Sequence, residues 1–225
     1  MNDISHSTPS LAHGKGLLRP AIVSAILFMA VTGLGYPLVT TGVAGVLFPA
    51  QANGSLIERD GIAVGSALIG QHFERPEYFH PRPSATTGAD PEDPSKTVDQ
   101  PYNAANSGAS NQGVTSKKLL DQVNERVAAY RKENLLSAAD PVPVDAVTAS
   151  ASGLDPDISL ANARLQAGRV AQARGIARKD VLDLVDRLAT PRQLGLFGEP
   201  RVNVLNLNLA LDAAQVAAGT TGAAR

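Results

Sequence analysis

One long apolar run is followed by a body in which large apolar residues are sparse and periodic. Residues 20–57 form 38 consecutive positions without a formal charge, and the apolar heart of that run is 20–48. A bilayer core needs roughly 20 helical residues, so the pattern predicts a tilted transmembrane helix over 20–48. Lys15 and Arg19 precede it, and Glu58, Arg59 and Asp60 follow. The positive-inside bias then predicts a short cytoplasmic N-terminus over 1–19 and an exported body over 49–212. Gly33, Gly35 and Pro37 interrupt the run and call for a neighbouring helix to shield the backbone. Ala21 with Ala25, and Gly42 with Gly45, leave room for close helix approach. The competing reading is a signal peptide cleaved at Ala50, Gln51 and Ala52, although the run exceeds the usual apolar stretch of about 7–15 residues.

The body reads as mixed helix and strand. Residues 55–58 and 62–69 predict short strands around an Asp60–Gly61 turn, with a helix over 62–71 as the alternative. Residues 81–116 are rich in Pro, Gly, Ser, Thr, Asn and Asp and read as one long polar loop. Phe73, Tyr78, Phe79, Pro81 and Pro83 predict that its start is packed down. Ser116 begins the clearest soluble helix, with Leu120, Val123, Val127 and Tyr130 at helical spacing to 134. Residues 144–149 suggest a strand. Ser159 caps a second helix that Gly175 ends. A third helix over 178–189 buries Val181, Leu182, Val185 and Leu188. Pro200 suits the first position of a last helix reaching Asp212, with a strand as the alternative, and 213–225 reads as a frayed tail. The fold class is therefore α+β: one N-terminal transmembrane helix and a single exported domain.

Composition narrows the chemistry. A net charge of −1 over 225 residues, with 18% charged, gives no basic face for nucleic acid. With no cysteine there is no disulfide, thiolate metal site or thiol nucleophile. His6 and His13 lie in the N-terminal tail, and His72 and His80 lack the spacing of a zinc motif, so no metal is expected. No phosphate-binding loop, dinucleotide fingerprint or nucleophile elbow appears. Asp155 and Asp157 flank Pro156 as paired carboxylates, yet turn formation and helix capping account for them equally well. The oxygen- and amide-rich stretch 102–111 suits a hard cation, a partner backbone or solvent. The residues alone leave open an anchored exported enzyme and a binding protein released by cleavage.

Several segments, in order, resemble the C subunit of the Kdp-type, high-affinity potassium-transporting ATPase of bacteria. They begin with Leu18, Arg19, Pro20, Ala21 and Ile22. GSALIGQ at 65–71, YFHPRPSAT at 78–86 and YNAANSGASN at 102–111 follow. DAVTASASGLDPDIS at 145–159, QAGRVAQAR at 166–174 and RQLGLFGEPRVNVLNLNLALD at 192–212 complete the series. The usual S-G-S-G run appears here as Ser150, Ala151, Ser152 and Gly153. The resemblance implies a non-catalytic accessory subunit in the inner membrane, single-pass, with a periplasmic domain. Its implied partners are a P-type ATPase subunit, a channel-like potassium-binding subunit and a small membrane peptide, within the lipid bilayer. ATP and potassium are used by that complex, and this subunit's implied roles are to stabilise assembly and to raise ATP affinity as a catalytic chaperone. Gln166 takes the place of a glutamine proposed in the family to contact nucleotide. Gly33, Gly45, Arg82, Asn103, Asn111, Asp155, Arg201 and Asn203 are the candidates for partner contact.

Overall fold

The computed structural model describes residues 14–223, with side chains over 16–216. His6, His13 and the last two residues of the expected tail lie outside the described residues. The chain divides into two compact units, 1–55 and 56–225.

The first unit is helical. Helix α1 (Gly14–Ala30) passes through a π-helical segment (Val31–Gly35) into α2 (Tyr36–Leu47), and a short α3 (Pro49–Ala52) follows. Pro37 explains the π segment. It has no N–H, and its ring crowds the carbonyl one turn earlier, so the helix widens just before it. The apolar stretch Gly16–Leu47 is 32 residues long, or about 48 Å at the helical rise of 1.5 Å, enough to cross a bilayer with tilt. Its large side chains, Ile22, Phe28 and Leu38 among them, stand exposed along its whole length.

The second unit contains three two-stranded antiparallel ribbons and the remaining helices. Strands β1 (Leu56–Arg59) and β2 (Ile62–Ser66) pair through a tight turn in which Asp60 and Gly61 both take positive φ. That geometry matches the twist of the flanking strands and selects Asp-Gly. The helical alternative for 62–71 therefore fails. Within the expected polar loop, β3 (Thr87–Ala89) pairs with β4 (Thr97–Asp99). Helix α4 (Lys117–Glu133) starts where Ser116 accepts a hydrogen bond from the Leu119 N–H.

Residues 144–149 are not a strand. Val144–Val147 form one helical turn, α5, because Asp145 turns its carboxylate to the Ser159 N–H (2.8 Å) and Oγ (2.9 Å). Strand β5 (Asp157–Ser159) leads into α6 (Leu160–Arg174), capped by Ser159 and closed by Gly175 at φ 66°. Helix α7 (Arg178–Leu188) buries Val181, Leu184 and Val185, while Leu182 and Leu188 are only half-buried. Pro200 does not open the last helix. Residues Arg201–Asn203 form β6, paired with β5, and α8 (Val204–Ala223) begins one residue later. The Asn203 carboxamide accepts the Asn206 N–H at 2.9 Å and so sets that start. The helix runs past Asp212 as far as Ala223. The core gathers Phe79, Ile158, Val170, Val181, Val202 and Leu207 between α6, α7, α8 and the β5–β6 ribbon.

Candidate functional site

The segment 76–82 carries two prolines and cannot sit inside a sheet, since Pro81 supplies no N–H to a ladder. Its backbone is held by side chains instead. Asn208 of α8 accepts the Phe79 N–H (2.8 Å) and donates to the Phe79 carbonyl (3.0 Å). Gln166 of α6 does the same for the next residue, accepting the His80 N–H (2.7 Å) and donating to the His80 carbonyl (3.0 Å). Two carboxamides thus stand where a neighbouring strand would. Arg169 adds bonds to the Pro76 and Tyr78 carbonyls (2.6 and 2.9 Å), and Arg174 one to the Glu77 carbonyl (2.7 Å). The Tyr102 hydroxyl donates to the Arg82 carbonyl at 2.8 Å.

Asn162, Gln166 and Arg169 fall at successive spacings of four and three, so they share one face of α6. They form a continuous chain. Asp145 accepts from Asn162 Nδ2 (3.1 Å), Asn162 Oδ1 accepts from Gln166 Nε2 (2.8 Å), and Gln166 Oε1 accepts from Arg169 (2.8 Å). The Tyr130 hydroxyl also donates to Asn162 Oδ1 (2.8 Å), and burial pushes its ionisation well above the usual phenol range. Gln166 is 1% exposed. Both of its N–H groups and both oxygen lone pairs are taken by His80, Asn162 and Arg169. The amide offers no free donor or acceptor to a ligand in this arrangement.

A cleft of about 560 Å³ lies beside this chain, lined by Phe73, Pro81, Arg126, Tyr130 and Glu133 among others. At its wall His80 Nδ1 meets Glu133 at 2.6 Å, His80 Nε2 faces the Arg75 carbonyl at 3.0 Å, and Arg169 Nε lies 3.3 Å from Glu133. The hydrogen bond from His80, then the charges of His80 and Arg169, hold the Glu133 carboxyl below its usual range, with burial opposing. A depressed carboxyl contributes stability that is present above its unfolded value, near 4.5, and is lost as pH falls through the lower folded value. The full chain should therefore melt earlier below about pH 4.5, and Glu133→Gln should flatten that slope. Asp157, raised by burial, works in the opposite sense, so the comparison with the variant isolates Glu133. Equal slopes in thermal melts of both proteins would refute the assignment.

The paired carboxylates of the sequence are each matched to a cation. Arg82 lies 2.8 Å from Asp155, and Arg201 lies 2.8 Å from Asp157. Arg82, Asp155 and Arg201 line a second hollow of about 420 Å³. Asn203 spans from its cap to the Ala67 carbonyl (3.0 Å). Asn103 lies elsewhere, donating to the Thr87 carbonyl at 2.8 Å, and Asn111 is exposed at φ 50°. Gly33 sits in the π segment and Gly45 in α2, both in the first unit. No group of three or more His, Asp or Glu with metal-binding geometry occurs among the described residues.

Sequence patterning missed Asn208, Asn162, Arg169, Asp145 and Glu133. For Asn162 and Arg169 the available signal was their one-face spacing with Gln166 in α6, next to the small apolar residues Ala163, Ala167 and Val170.

Comparison with known proteins places these features. Residues 18–213 match the family model described as K+-transporting ATPase, c chain. The chain is 59% identical over 197 residues to the potassium-transporting ATPase KdpC subunit of Bradyrhizobium diazoefficiens, covering 88% of this chain and 96% of that protein. It is 58% identical over 198 residues to the subunit of the same name from Rhodopseudomonas palustris, covering 88% and 98%. For that of Methylorubrum extorquens the identity is 58% over 194 residues, covering 86% and 95%. The chain belongs to the family of the c chain, or KdpC subunit, of the K+-transporting ATPase.

Proposed function

We propose that this chain is a non-catalytic accessory subunit of the potassium pump, anchored by one helix, with its N-terminus cytoplasmic and its second unit periplasmic. It stabilises the assembly of a P-type ATPase subunit, a channel-like subunit and a small membrane peptide. It raises the pump's ATP affinity by coupling through the membrane subunits rather than by touching nucleotide. ATP and potassium are handled by the complex, not by this chain. The supporting observation is the filled, buried amide of Gln166, whose bonds all go to its own chain. Coupling of this kind needs only a preference for one pump conformation, and typical values are about 1–3 kcal/mol. Gly33 and Gly45 leave a surface on which another helix can approach closely, and the polar backbone opened by Pro37 gains most from such shielding.

A tag on this chain should recover a P-type ATPase and a channel-like subunit from solubilised membranes, and joint Gly33→Leu and Gly45→Leu replacement should lower that recovery. Protease added to intact spheroplasts should digest the second unit. Recovery of neither subunit, or full protection until lysis, would overturn the proposal.

A further inference from the structure

Between α7 and β6 the chain makes a small hairpin whose residues 190–199 are all exposed. Thr190 bridges Arg201 at its base, and Gln193 bridges Phe197 below its tip, with N–H to carbonyl bonds of 2.8 and 2.9 Å. Arg192 and Glu199 close it further at 2.6 Å. The tip is apolar and open: Leu194 is 94% exposed, Leu196 70% and Phe197 59%. Leu194 and Gly195 both take positive φ, so the turn holds its leucine outward in a conformation that a leucine adopts only at a cost. An ordered, protruding apolar tip marks an interaction site, unlike singly scattered surface residues.

We infer that this tip inserts into an apolar groove on another subunit of the same potassium-transporting ATPase; the inference rests on the accessory-subunit reading. Lipid is the weaker occupant. Elements that sit in the membrane interface set Lys or Arg beside the Trp, Phe or Leu that they bury, and this tip has the apolar part alone. Residues 190–200 hold no Lys, Trp or Tyr, and their one cation, Arg192, is neutralised by Glu199. A second copy of the chain is weaker too, because three side chains fall far short of the roughly 800 Å² per partner of a free-standing interface. Within a complex already held together by a membrane helix, a small contact suffices, because tethering makes its binding intramolecular.

The test places a photoreactive benzoylphenylalanine at position 194 in the full chain, expressed with the rest of the complex and irradiated in native membranes. The expected product is one adduct, identified by mass spectrometry, between this chain and another subunit of the transporter. Leu194→Asp with Phe197→Ser should lower recovery of the complex several-fold while leaving the thermal midpoint of the purified chain unchanged. Adducts only to lipid, only to a second copy of this chain, or to nothing would overturn the tip's role. If they appear while the tag still recovers the other subunits, the accessory-subunit reading stands; if the tag recovers none, both fall.

Discussion

Replacing Gln166 by leucine is expected to destabilise the protein by about 3 kcal/mol or more, a loss set by what the change leaves behind. The volume is nearly kept, but the His80 N–H and carbonyl, one Arg169 donor and the Asn162 oxygen each lose a partner. Most of them sit where water has little access, so desolvation is not recovered. Denaturant unfolding of the full chain in detergent measures this, and a loss below about 1 kcal/mol would contradict the filled amide. The functional arm uses Asn208→Ala, which releases Phe79 as Gln166→Ala releases His80. If Gln166 acts through the held segment, both variants shift the ATP dependence of potassium-stimulated hydrolysis alike in the assembled complex. A shift confined to Gln166→Ala would point to contact with nucleotide instead.

The second large effect is expected at Gly153, where alanine should cost about 3 kcal/mol. The backbone there has φ 68°, a region that costs a residue with a Cβ about 1–2 kcal/mol. The added carbon would also lie 2.5 Å from Thr86 Cγ2 and 2.7 Å from the Gly108 carbonyl, an overpacking penalty of about 1–3 kcal/mol. Gly153 is the point at which the long polar loop is fastened: Ser84 Oγ donates to its carbonyl (2.7 Å), and the Gly108 N–H donates to Ser152 (2.9 Å). Gly113→Ala is the control, since nothing lies within 4 Å of the carbon it adds. Equal thermal midpoints for the two variants would refute the fastening role.

What was legible in the sequence is what local chemistry decides. Ser116, Ser159 and Gly175 mark helix ends through bonds to residues a few positions away, and Asp60–Gly61 fixes its hairpin by backbone conformation alone. The errors arise where a distant partner decides. Val144–Val147 coil rather than extend because Asp145 is drawn to Ser159, fourteen residues on. The start of α8 moves past Pro200 because Val202 is buried in a ribbon with β5. The carboxamide clamps were hidden for a further reason. Polar residues on a helix normally face water, and in α6 Asn162, Gln166 and Arg169 are buried alongside Ala163, Ala167 and Val170. The family resemblance singled out Gln166 for nucleotide contact and gave no sign of its bonds to His80, Asn162 and Arg169.

The clamps also fix an order of events for the newly made chain. Phe79 and His80 wait for carboxamides that lie 129 and 86 residues downstream. Contacts of such separation are slow to close, and synthesis delivers the early residues first. The aromatic stretch at 73–79 therefore leaves the ribosome well before anything can cover it, and it settles only when nearly the whole polypeptide has emerged. Truncation ahead of α8 would strand it permanently, which makes the last helix the step that commits the domain to its native state.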